Sequence, residues 1–94
     1  MPDNRDGRLI GNQIFRAGTS IDANFRAACR ARSKAEFISK LSIVEEEADE
    51  TLFWLEMMKE MEILPDSSLD YLIKESDEII SIVVASIKTT RKNK

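Results

Sequence analysis

Beyond its second residue the chain contains a single proline, Pro65. A proline inside a helix removes a backbone donor and clashes with the preceding turn, so residues 3–64 lack the strongest helix breaker. Glycine is nearly as scarce, at three residues. A chain with so few turn signals is constrained to long helices joined at a small number of places.

Apolar spacing locates those helices. Leu9, Ile10, Ile14, Ala17, Ile21, Phe25 and Ala28 recur at intervals of three and four, which marks one helical face and predicts a helix over 8–32. Gly18-Thr19-Ser20 interrupts it. The small neighbours Ala17, Ala23 and Ala27 make a close helix–helix approach at Gly18 the favoured reading over a bend. A second helix is predicted over 34–63, opened by a capping box in which Ser33 accepts from the Glu36 N–H and Glu36 reaches back. Its stripe is Phe37, Ile38, Leu41, Val44, Ala48, Leu52, Leu55 and Met58, and Pro65 should stop it around residues 62–64. A third helix is predicted over 67–91, with Asp66-Ser67-Ser68 as capping residues and Leu69, Leu72, Ile73, Ser76, Ile79, Ile80, Val83 and Ile87 as its stripe. The β-branched run 79–84 has strand-like composition, but its period is helical and no partner strand exists. Short connections imply antiparallel neighbours. The expected fold class is therefore all-α: an antiparallel up-and-down bundle, with three helices in one domain spanning residues 1–94.

Composition removes most chemistry. The 94 residues contain no histidine, which eliminates the commonest general base, the commonest metal ligand and every Ser-His or Cys-His pair. Cys29, the one cysteine, cannot form an internal disulfide and reads as a small buried hydrophobe. The acidic run Glu45-Glu46-Glu47-Ala48-Asp49-Glu50 places Ala48, not a carboxylate, on the inward stripe, so it reads as a solvated face and not a metal site. No phosphate-binding glycine loop, zinc spacing or nucleophile elbow is present. The expectation is a protein that is not an enzyme, with no cofactor and no bound metal. No apolar run reaches the roughly 20 residues of a membrane span, and the polar N-terminus carries no signal peptide, so the cytoplasm is the expected location.

Charge is segregated along the chain. Residues 1–34 carry seven cations and three anions, residues 35–78 three and fourteen, and residues 79–94 four and none. Arg26, Arg30, Arg32 and Lys34 cluster where the first helix ends, with Arg16 a possible addition; such a group suits phosphate contacts. The competing reading is that these cations favour the negative end of their own helix or pair with the acidic run across the bundle. Phe53, Trp54, Met57 and Met61 extend the second helix's apolar stripe to another face, a candidate contact for a partner or a second copy.

The stretch Phe15-Arg16-Ala17-Gly18-Thr19-Ser20-Ile21-Asp22-Ala23-Asn24, followed by residues 26–41 and by Ile43-Val44-Glu45-Glu46-Glu47-Ala48-Asp49-Glu50-Thr51-Leu52-Phe53-Trp54-Leu55-Glu56, resembles the four-helix bundle family named for proteins encoded in 23S rRNA intervening sequences. The likeness covers roughly residues 8–91. It implies four antiparallel helices that associate into a ring, usually a pentamer. It also implies kinship with the accessory variability protein of diversity-generating retroelements, which binds nucleic acid and a reverse transcriptase through basic surface. It supplies no catalytic residues. Against that pattern, the family's first helix is missing or reduced to residues 1–7, so the core is expected to be completed by oligomerisation. Two functions follow as expectations: a self-associating interaction scaffold, and an RNA- or DNA-binding accessory module using the basic patch.

Overall fold

The computed structural model describes residues 5–61 and 66–92. These form three α-helices with no strand among them: α1 over Arg5–Cys29, α2 over Lys34–Glu60 and α3 over Asp66–Lys92. The helix α1 starts three residues before the periodicity places it and ends three residues earlier. Backbone bonds from Arg30 N–H to the Ala27 carbonyl (3.2 Å) and Ala31 N–H to the Ala28 carbonyl (3.1 Å) tighten its last turn. Ser33 opens α2 as expected, its Oγ accepting from Glu36 N–H at 3.1 Å. The returning Glu36 carboxylate differs from a full capping box: Oε2 accepts from Arg32 N–H at 3.3 Å, one residue before the cap. The end of α2 is closed by Met61 N–H donating to the Met57 carbonyl at 3.0 Å. The expected stop at 62–64 and Pro65 lie outside the described residues.

The helices alternate in direction, and two apolar clusters fix the register. At one end Ile10 of α1, Leu55 and Met58 of α2 and Leu69 of α3 come together, with Ile14, Trp54, Met57 and Ile73 against them. At the other end Ala28 meets Leu41, Val44, Val83 and Ile87, with Ile21, Phe37 and Ile38 packed around. Each large side chain fully buried in this way contributes about 1.5–3 kcal/mol of transfer free energy. Ala17 and Ala48, both buried, continue the inner faces of α1 and α2 between the clusters.

The packing is not that of a closed three-helix triangle. Both α1 and α3 lie against α2, and their backbones do not approach one another. The Cα extents of 49 × 19 × 13 Å describe a long open V with α2 at its vertex. The radius of gyration is 15.0 Å, whereas a compact domain of this length has about 12 Å. A groove therefore runs between α1 and α3.

Gly18 departs from the expected close approach. The helix passes through Gly18-Thr19-Ser20 unbroken. Thr19 Oγ1 donates to the Arg16 carbonyl at 2.9 Å, and Asn24 Nδ2 donates to the Ser20 carbonyl at 2.9 Å. A Cβ built at Gly18 would meet nothing within 4 Å. A glycine in mid-helix costs about 1 kcal/mol against alanine, and no contact among the described residues requires it. Cys29 also departs from expectation, being exposed at the end of α1 and not buried.

Candidate functional site

Three surface regions were singled out by the sequence, and the structure places them differently. Arg16 does not join the basic cluster. It sits mid-helix, about 15 Å along α1 from Arg26 at 1.5 Å per residue. Its Nη2 lies 2.5 Å from Glu50 Oε1 and 3.4 Å from Glu47 Oε2 on α2. The Glu47 oxygen is shielded from water without a hydrogen-bond partner, so the 3.4 Å approach is an ion pair lacking hydrogen-bond geometry. The hydrogen bond from Arg16 holds the Glu50 carboxyl below its ordinary range, partial burial works against that, and Trp54 Nε1–H, 3.4 Å away, adds to the lowering. The acidic run of α2 thus binds Arg16 and not the basic corner.

Arg26, Arg30, Arg32 and Lys34 are exposed, and none is in an ion pair among the described residues. The parallel course of α1 and α3 brings a second basic segment to them. Lys88, Arg91 and Lys92, at the end of α3, share the bundle end defined by Ala28, Val83 and Ile87. Residues 26–40 and 84–92 together carry eight cations and one anion. The sequence shows both basic segments but not their convergence, which depends on the direction of α3. The opposite end carries Asp6, Glu56, Glu60, Asp70 and Glu75 together with Arg5, Arg8, Lys59 and Lys74, and there Lys59 Nζ pairs with Asp70 Oδ1 at 2.6 Å.

Phe53 and Met61 are exposed and Trp54 and Met57 half-buried. The Phe53 and Trp54 rings meet edge to face, 5.0 Å apart at 72°. Leu9 and Ile10 of α1 join Trp54, Met57 and Met61 around a shallow depression of about 460 Å³. Leu9, expected on the inner stripe, belongs to this outer face.

A fourth region escaped the sequence reading. The groove between α1 and α3 opens to about 590 Å³ where Gly11, Ile14 and Phe15 face Leu55, Met58, Leu69 and Leu72. It continues past Phe15 to Gly18, Ile21, Asp22 and Ile79. Phe15 is 74% exposed, the most of any large apolar side chain described. The available signal was that Phe15 falls outside the inner stripe of α1 although it is aromatic.

Chemistry is sparse everywhere. Among the described residues no three His, Cys, Asp or Glu side chains are grouped to hold a metal ion. Tyr71 Oη donates to Glu75 Oε1 at 3.1 Å, which pushes the phenol up; like the Arg16–Glu50 pair, this is a surface contact and not a cleft. No described helix is long and apolar enough to cross a membrane.

The model of the 23S rRNA-intervening sequence protein family matches residues 2–85. The chain belongs to that family. None of the curated proteins matches this intervening-sequence protein. Among solved structures it is similar to a Bacteroides thetaiotaomicron protein with unknown function from the S23 ribosomal protein family. The two share 40% identity and superpose with a TM-score of 0.82, over 85% of this chain and 74% of that one. The all-helical fold and the resemblance read from residues 15–56 are thereby confirmed.

Proposed function

We propose that this intervening-sequence protein is a non-catalytic cytoplasmic interaction module that works as an assembly of its own copies. The amount of uncovered surface carries the reading. The accessible area is 6471 Å², whereas a monomer of this mass presents about 5500 Å². Large apolar side chains stand exposed on it: Phe15, Leu72, Ile79 and Ile82 on one side and Leu9, Phe53 and Met61 on another. Contiguous apolar patches of this kind mark protein contacts. The non-catalytic part rests on a sequence without histidine and on titrating groups that answer only to surface partners. Light scattering coupled to size exclusion at tens of micromolar tests the assembly; a monomer at every concentration sinks it.

A second reading is favoured by the basic end, where eight cations converge against a single carboxylate, Glu36. That end suits a polyanion, and structured RNA is the natural probe. Binding should weaken as salt rises, each neutralised phosphate adding about 0.7–0.9 to the logarithmic slope. Replacing Arg26 and Arg30 by glutamate should abolish binding. Absence of binding at low salt removes this reading.

A further inference from the structure

We infer that the outer face of α2 around Phe53 is a docking surface for an arginine-bearing amphipathic helix of another protein. The inference goes beyond the assembly reading, which the exposed Phe15, Leu72, Ile79 and Ile82 support without this face, so either can fail alone.

The helix period sets the charge of the face. At 3.6 residues per turn, Glu46, Asp49, Glu50, Glu56 and Glu60 all lie within about 60° of Phe53, and no cation of α2 does. Lys59 is turned about 120° away and pairs with Asp70. Glu50 is taken by Arg16. Arg5 lies on α1 one turn before Leu9, rotated further than Leu9 from the buried Ile10. Glu46, Asp49, Glu56 and Glu60 are exposed, and among the described residues none of them has an ion pair or a hydrogen bond. Glu56 and Glu60 are like charges one turn apart, an arrangement that weakens a helix on its own. Cations brought by a partner relieve it.

The shape of the face says how those cations are presented. Phe53 is 52% exposed, its ring held edge to face against Trp54. Beside it Phe53, Glu56, Met57 and Glu60 line a notch of about 110 Å³. An aromatic ring next to two carboxylates matches a guanidinium, which stacks on the ring while its N–H groups reach the oxygens. Met57 also borders the 460 Å³ depression lined by Leu9, Ile10, Trp54 and Met61, which suits a bulky apolar side chain. The two hollows adjoin through Met57. One occupant fills both by presenting an arginine and a large apolar residue within a turn of each other. The carboxylates from Glu46 to Glu60 span about 21 Å of the helix axis, the length of a four-turn helix laid along α2. A polyanion is repelled by this face, and two copies meeting on it would set carboxylate against carboxylate.

The probe is a fluorescently labelled, alanine-based helical peptide with arginine and leucine one turn apart and no aromatic residue. Anisotropy should show saturable binding that weakens with salt. The emission of Trp54, the single tryptophan, should shift along the same curve. Phe53→Ala, and separately Glu56→Gln with Glu60→Gln, should each weaken binding at least tenfold. All three positions are exposed, so circular dichroism should report parental helix content. Arg26→Glu with Arg30→Glu, at the basic end, should bind the peptide at least as tightly as the parent. Replacing the peptide's leucines by alanine should cost at least tenfold. If the leucine-free peptide binds equally well, the face is only a charged surface and the inference falls. Binding untouched by the Phe53 and Glu56/Glu60 variants places the peptide elsewhere and overturns it too. If light scattering shows Phe53→Ala dissociating an assembled parent, a second copy covers this face; the inference then fails and the assembly reading stands. A monomeric parent that binds the peptide as described leaves this inference standing and removes the assembly reading.

Discussion

Arg16 Nη2 and Glu50 Oε1 meet at 2.5 Å, joining the middle of α1 to the middle of α2 at the solvent boundary. The pair lowers the folded-state pKa of Glu50 below its ordinary value of 4.5. A carboxylate depressed in this way stabilises the fold fully above that value and loses its contribution as pH falls through the folded pKa. Glu50→Gln should therefore melt below the parent at pH 7, and the gap should close in acid below the ordinary carboxylate range. Thermal melts of both proteins across that pH range check the sign. Because the pair is exposed, added salt should narrow the gap at neutral pH.

Met58 is fully buried where all three helices converge on Ile10, Leu55 and Leu69. Met58→Ala leaves a cavity that both flanking helices border, and should lower stability by about 2–5 kcal/mol. For a domain whose total is on the order of 5–15 kcal/mol, that is a large fraction. Urea titration followed by circular dichroism measures the loss. Tyr71→Ser, on the exposed outer flank of α3, should change stability by no more than about 0.5 kcal/mol in the same assay.

Ser33 caps α2 through its Oγ, 3.1 Å from Glu36 N–H. Ser33→Ala should cost about 0.5–2 kcal/mol, whereas Ser33→Asp, which keeps an acceptor beside the helix N-terminus, should restore most of it. Glu36→Ala should cost less, since its carboxylate reaches Arg32 N–H at the longer 3.3 Å.

Cys29 is exposed at the end of α1. Its thiol should react fully with an aromatic disulfide reagent in the native protein, at a rate that denaturant raises only slightly. Protection until unfolding would contradict the placement of this residue.

The helices were legible because periodicity reports inward faces: Leu41, Val44, Ala48, Leu55 and Met58 follow the stripe drawn from the sequence and are all buried. What periodicity does not report is how many neighbours an inward face has. Cys29 lies beside Ala28, which α2 and α3 bury, yet it sits on the exposed side of the same last turn. Gly18 reads as a packing residue, yet α3 sits too far from α1 to touch it. Arg16 was grouped with Arg26 by charge alone, and only the pairing register of α1 and α2 shows that Glu50 holds it. The basic end is a similar case. Its two segments lie far apart in sequence, and the direction of α3 joins them.

The vertex position of α2 has a kinetic consequence. Among the described residues every close backbone approach joins helices adjacent in sequence, α1 with α2 or α2 with α3, and the outer helices meet only through side chains gathered on α2. Loop closure is therefore short in both cases, and such topologies fold in microseconds to milliseconds. Either hairpin can nucleate first, so a lesion in α1 leaves the α2–α3 route open and the reverse holds as well. Substitutions in the shared helix weaken both routes at once. Slow refolding should therefore concentrate among variants of α2, while variants of the outer helices chiefly unfold faster.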